Sequence, residues 1–207
     1  MKKKAFLLAL LALLLTAVKA QTVSITGFGG YTFQDRANFG NAYANIKESG
    51  HWGIALEGTA HNRGLELLYQ QQNTHVPVYF SGAPDHQVNE GNDKIGISYI
   101  VLNGLQYVEM PNSPLHPYGG LGAGVGIMNP QSGSSQTGFA WDLKLGVKIK
   151  TKSVVGFKIQ AQLFSIVQAG AAGFWVGPGG GGVSFGGYSS IYQFGLTGGI
   201  CFDLDKH

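Results

Sequence analysis

Residues 139–168, FAWDLKLGVKIKTKSVVGFKIQAQLFSIVQ, alternate in polarity along almost their whole length. Phe139, Trp141, Leu143, Leu145, Val147 and Ile149 fall on one side of an extended chain, and Ala140, Asp142, Lys144, Gly146, Lys148 and Lys150 on the other. After Thr151-Lys152-Ser153 the alternation resumes, with Phe157, Ile159, Ala161 and Leu163 opposite Lys158, Gln160 and Gln162. A period of two marks a strand, because successive side chains of a strand point to opposite faces. The stretch therefore predicts an antiparallel hairpin of about ten residues per arm, apolar on one face and charged on the other. That is the length and polarity of a strand pair crossing a bilayer.

The rest of the chain repeats the device. Strands are expected at 22–33, 51–60, 65–72, 94–108, 117–128 and 188–204, which with the hairpin makes eight. In 22–33, Val23, Ile25, Tyr31 and Phe33 oppose Ser24, Thr26, Phe28 and Thr32; in 51–60, Trp52, Ile54 and Leu56 oppose Ala55, Glu57 and Thr59. In 65–72, Leu65, Leu67 and Tyr69 oppose Glu66, Gln70 and Gln72. The stretch 94–108 is less clean: Ile95, Ile97, Tyr99, Val101, Leu105 and Tyr107 form one face, but Ile100 and Leu102 make the other apolar too. In 188–204, Tyr192, Phe194, Leu196, Ile200 and Phe202 oppose Gln193, Thr197, Cys201 and Asp203. His61-Asn62-Arg63-Gly64 reads as a tight turn, with Asn and Gly supplying left-handed backbone angles. Pro111 and Pro114 keep 109–116 out of a central ladder.

Connections alternate between long (34–50, 73–93, 129–138, 169–187) and short (61–64, 109–116, 151–153). An all-β, eight-stranded antiparallel up-and-down transmembrane β-barrel has this asymmetry, with short turns at one end and longer loops at the other. Period alone does not say which face is outside; charge does. A lysine facing lipid at the bilayer midplane costs ~2–4 kcal/mol, so Lys144, Lys148 and Lys158 must look inward. There they meet Glu57, Glu66 and Asp142, and pairing relieves the cost of isolated buried charge. Tyr31, Phe33, Trp52, Tyr107, Trp141, Phe157, Tyr192 and Phe202, near strand ends, fit two interfacial aromatic girdles. A soluble eight-stranded barrel would invert the polarity.

The first twenty residues, MKKKAFLLALLALLLTAVKA, read as a signal peptide: a basic start, a short apolar run, and small Val18 and Ala20 before a cleavage site after Ala20. Residues 21–207 then form one barrel domain exported to the outer membrane of a Gram-negative cell. Loss of four of the fourteen basic residues with the signal leaves ten against eleven acidic ones, so the basic balance of the precursor belongs to targeting. No clustered basic surface remains for nucleic acid. A single cysteine, Cys201, excludes an internal disulfide and a multi-thiolate metal site.

With its export signal, eight alternating strands, PYGGLGAGVGI at 117–127 and a closing QFGLTGGICFDL at 193–204, the chain resembles the small outer-membrane β-barrels of OmpA/OmpX-like type. The resemblance implies insertion by the barrel-assembly machinery, a wall bathed in outer-membrane lipid and lipopolysaccharide, and loops that meet an extracellular ligand or surface. It departs from the pattern at its end, where Phe202 is followed by five further residues instead of a terminal aromatic.

Candidate chemistry is sparse, and no cofactor is implied. Gly120, Gly122, Gly124 and Gly126 lie on the inward face of a strand and make room for long side chains opposite, unlike a phosphate loop, which needs a helix after it. An eight-stranded barrel is just wide enough for its own side chains to fill, so the inward charges are expected to plug the lumen. A narrow water-lined conduit is the alternative. His51, Ser49 and Glu48 at an outer strand end are the set a lipid-modifying enzyme would use, although neighbours on a loop make a poor triad. His75 and His86, with Asp85, Glu90 and Asp93, lack ligand spacing on a fixed element, and no metal site is expected. Phe174 and Trp175, among the glycines of 169–187, are expected to cap the barrel mouth or to contact a partner. The expected role is therefore non-enzymatic: envelope integrity, or surface recognition through the loops.

Overall fold

Alternating strands of this length can leave no polar backbone edge in lipid, and closure into a barrel is the solution that removes every edge. A computed structural model describes residues 22–39, 42–80, 93–131, 134–167, 172–177, 180–185 and 190–204. In chain order its strands are β1 (Thr22–Thr32), β2 (Asp35–Phe39), β3 (Ala42–Ile46), β4 (Ser49–Ala60), β5 (Arg63–His75) and β6 (Val78–Phe80). They continue with β7 (Lys94–Tyr107), β8 (Leu115–Pro130), β9 (Gln136–Lys150), β10 (Val155–Val167), β11 (Ala172–Gly177), β12 (Gly180–Phe185) and β13 (Ser190–Asp203). Eight of them, in the order β1-β13-β10-β9-β8-β7-β5-β4, close an antiparallel barrel, the last joint being β1 against β4.

The two faces separate as the charge argument requires. Leu121, Leu145 and Ile159 are 65%, 64% and 61% exposed, whereas Glu57, Asp142 and Lys144 in the same ladders are at most 1% exposed. The apolar side chains form the outer wall of a transmembrane barrel. Tyr31, Phe33, Trp52, Phe157, Tyr192 and Phe202 all project from it, and Trp141 packs edge-on against Tyr192.

Several expectations need correcting. Tyr107 is not part of a girdle: it is buried in the lumen, where its phenol reaches Glu57. β7 turns its continuous apolar face, Ile95, Ile97, Tyr99, Val101 and Leu105, inward and gives lipid Ile100 and Leu102, because both faces of this strand are apolar and the register of its neighbours decides. The turn after β4 has two residues, and His61 rather than Asn or Gly takes the left-handed angle (φ 55°). The stretch 129–138 is not a long loop; β8 and β9 take half of it, ending at Pro130 and starting at Gln136.

The other long connections are partly ordered as strand. Within 34–50 and 73–93, β2, β3 and β6 pair into a three-stranded sheet beyond the rim. Within 169–187, β11 and β12 form a hairpin. Strands of three to six residues with mixed polarity carry too little periodicity to be seen in sequence. Rim and outer sheet are joined by Asn45 N–H donating to Pro77 O (3.0 Å) and Lys47 N–H to His75 O (2.9 Å). Arg36 lies 3.8 Å over the Tyr43 ring, which stacks on Tyr79 with 5.1 Å between centroids.

The glycines of β8 are where the barrel makes space. A Cβ on Gly122 would run into the side-chain oxygens of Asn103 and Asp142, whereas one on Gly198, on the lipid face, would meet nothing within 4 Å. Gly122→Val is therefore expected to destabilise the barrel by ~1–3 kcal/mol or to prevent its formation. Gly198→Ala should change stability by less than ~0.5 kcal/mol. Urea unfolding followed by heat-modifiable gel migration compares the two.

Candidate functional site: the charged lumen

The register puts three carboxylates in one row. Glu57 on β4 stands opposite Glu66 on β5; Glu66 opposes Asn103 on β7, Asn103 opposes Gly122 on β8, and Gly122 opposes Asp142 on β9. Like charges directly across a ladder repel, and all three carboxylates are out of water. Cations inserted from further round the barrel make the row tolerable. Lys158 on β10 reaches across to both Glu57 (2.6 Å) and Glu66 (2.9 Å). Lys144 holds Glu66 at 2.8 Å and Asp142 at 3.2 Å. The charges thus alternate in sign as Glu57, Lys158, Glu66, Lys144, Asp142. Neutral donors add to the shells of the two glutamates: Tyr107 and Thr59 donate to Glu57 Oε1 at 2.5 and 2.9 Å, and Asn103 Nδ2 donates to Glu66 Oε1 at 3.2 Å, whereas the buried Asp142 oxygens have the Lys144 ion pair and no hydrogen bond.

Lys148 lies directly opposite Lys158 in the ladder and is drawn to a different partner. Its ammonium donates to Ser24 Oγ (3.1 Å) and pairs with Asp203 (3.3 Å). All six charged residues expected in the lumen are buried there. Sequence reasoning placed Asp203 on the inward face without giving it a partner. That pairing depends on β13 closing against both β1 and β10, contacts that no local pattern encodes.

Towards the end that carries the long connections, charge gives way to amides and hydroxyls. The Thr32 hydroxyl donates to Gln72 Oε1 (3.0 Å), so its oxygen accepts from His51 Nδ1 (2.9 Å). His51 Nε2 is then left to accept from the Thr197 hydroxyl (3.0 Å). Gln72 Nε2 and the Tyr99 hydroxyl both donate to Gln193 Oε1, at 2.9 and 2.7 Å, and Gln162 Nε2 donates to Gln70 Oε1 at 2.6 Å. Both His51 nitrogens are thus engaged by threonines inside the lumen, while Glu48 is exposed at the rim. His51, Ser49 and Glu48 do not assemble into a triad.

Beyond the amides, an apolar cluster closes the mouth. Ala44 and Ile46 from β3, with Val76 and Val78, pack over Ile95, Ile97, Met128 and Ile191 from the barrel rim. Against the charge row, beside Thr26, Glu66, Lys158 and Thr197 and next to Ala55 and Leu68, remains a void of about 10 Å³, room for about one water. Cys201 is a free, fully buried thiol beside Gly156. Among the described residues no cluster has metal-binding composition; His86, Asp85 and Glu90 lie outside them. Phe174 and Trp175 fall in β11, and their side chains lie outside the described part of the structure.

Lys158 is the ion-pair partner of Glu57, so Lys158→Met should leave Glu57 without a counter-charge opposite Glu66, which then keeps Lys144 alone. A loss of ~3–5 kcal/mol is expected, the cost of breaking a buried pair on one side. Adding Glu57→Gln and Glu66→Gln should restore much of it, because neutral amides need no counter-charge. The midpoints of urea unfolding in lipid vesicles test the pattern; equal loss in the single and triple variants would contradict it.

No family model and no curated protein matches this chain by sequence. Solved structures match it by fold. The outer membrane protein OprG from Pseudomonas aeruginosa superposes with a TM-score of 0.66 at 18% identity, over 91% of this chain and 98% of that one. Neisserial surface protein A superposes with a TM-score of 0.58 at 13% identity, over 87% of this chain and 96% of that one. At such identities it is the fold that is shared. With its apolar wall, filled polar core and alternating connections, the chain is by fold a small eight-stranded outer-membrane β-barrel.

Proposed function

We propose that this protein is a non-enzymatic scaffold of the outer membrane that contributes to envelope integrity and offers its outer connections to a surface ligand. The filled lumen carries this reading. Three groups of side chains, an alternating charge row, an amide and hydroxyl mesh and an apolar cluster, occupy the axis; a void of about 10 Å³ remains among them, and a pocket of about 260 Å³ beside Thr59, Tyr107, His116 and Lys148 opens at the short-turn end. A passage for solute needs a continuous wet path, and the apolar layer under β3 interrupts it.

What remains available is the outside. The wall would contact outer-membrane lipid and lipopolysaccharide, and the barrel-assembly machinery would insert the protein after removal of residues 1–20. The sheet β2–β3–β6, pinned to the rim by backbone hydrogen bonds and stiffened across its own strands by the Arg36–Tyr43–Tyr79 stack, supports a presentation role because it holds an ordered surface clear of the bilayer.

Planar-bilayer recording separates scaffold from conduit. The intact protein is expected to give no steady ion current at either polarity. A steady current that disappears with Lys148→Ala would establish a pore through the charged lumen and overturn the scaffold reading.

A further inference from the structure

The outer end of the lipid-facing wall differs around its circumference. Aromatic side chains guard most of it: Trp141 on β9 is edge-on to Tyr192 on β13 (6.2 Å), over Ser165 on β10, the ladder partner of both. Phe194 stacks on Phe33 (5.7 Å), which meets Tyr31 (5.6 Å), and Trp52 on β4 is edge-on to Tyr69 on β5 (6.1 Å). β7 and β8 place no aromatic side chain on the lipid face; Tyr99, Tyr107 and Tyr118 all point into the lumen.

In that gap the wall changes character row by row. Tyr69, Ile100 and Val125 stand abreast as lipid-facing residues, and the next outward row is Gln71, Ser98 and Ile127. Above it come Asn73, Gly96 and Asn129, and then His75 beside Lys94, whose carbonyl accepts from Gln131 N–H (3.0 Å). Gly96 is the floor of a notch between two asparagines, since a Cβ there would stand 3.3 Å from Asn73 Oδ1. The notch is open and encloses about 400 Å³. Among the described residues no carboxylate lies within ion-pair distance of Lys94.

We infer that this notch binds the phosphorylated sugar headgroup of a glycolipid in the outer leaflet. Ile100 and Val125 below it flank acyl chains at the depth where the aromatic girdle is missing. The amides of Asn73 and Asn129 offer both donors and acceptors, matching the hydroxyl and N-acyl groups of a hexosamine. Lys94 at the upper lip supplies the cation a phosphate monoester requires. Phosphatidylglycerol has the phosphate and the chains but no ring to fill the space between the asparagines. The assignment rests on the long-connection end facing the outer leaflet, as in the proposed function.

The test uses the full mature chain in phosphatidylcholine nanodiscs, with native mass spectrometry counting retained diphosphoryl lipid A and phosphatidylglycerol as competitor. Lipid A should be retained, and Lys94→Glu and Gly96→Phe should each weaken retention about tenfold, the value of one charge-assisted hydrogen bond. Lys152→Glu, at the opposite end, should leave it unchanged. Retention unaffected by both notch variants, or displaced equally well by phosphatidylglycerol, overturns the site. Heat-modifiable migration confirms that each variant is folded. Failure of the wall reading itself would show differently, as a chain that does not enter the nanodisc.

Discussion

The structure depends on one arrangement: carboxylates brought side by side by strand register and reconciled by lysines from elsewhere in the barrel. Glu57, Glu66 and Asp142 share a row that would not close if each kept its charge unpaired. Lys158 lies about a hundred residues from Glu57 in sequence (|i−j| = 101), and their 2.6 Å contact exists only once the barrel is shut. The ion pairs are therefore a consequence of closure as well as a support for it. Each misregistered or open form exposes several charges to a low-dielectric medium, so the correct register is selected by what its competitors would cost.

That constraint fixes the rest. Because the charges occupy the lumen, the apolar sides of the same strands have nowhere to go but lipid, and a bilayer accepts them. Because long side chains cross the lumen, β8 must supply space, which its inward glycines do; Gly120 lies against Leu105 and Lys144, and Gly122 against Asn103 and Asp142. Towards the outer mouth no charge remains to be neutralised, and the fill passes to glutamines, threonines and His51, then to the aliphatic layer under β3.

Much of this was legible in the sequence, for a definite reason. A strand with one polar and one apolar face reports its own orientation, and the 139–168 hairpin does so in nearly every residue. The number of barrel strands, the inward face of each charged strand and the space-making role of the β8 glycines all follow from period two. β7 was ambiguous because both of its faces are apolar, so its orientation is set by Glu66 and Gly122 on the neighbouring strands through the shared register. Tyr107 looked like an interfacial aromatic because it ends a strand, but a phenol can serve a buried carboxylate equally well, and Glu57 is within its reach. The pairing of Lys148 with Asp203 and the sheet β2–β3–β6 join segments far apart in sequence and were invisible to local pattern.

The central claim is that aliphatic side chains face acyl chains while lysines and carboxylates neutralise one another along the axis. Spin labels on single cysteines in a Cys201→Ser background measure this directly, through collision with lipid-soluble oxygen and with a water-soluble nickel chelate in vesicles. Labels at Leu121, Leu145 and Ile159 are predicted to be reached freely by oxygen and hardly by nickel, and labels at Ser24 and Gln162 to be shielded from both. Oxygen reaching Ser24 and Gln162 while Leu145 and Ile159 are shielded would mean that the wall is inside out, and the account would fail.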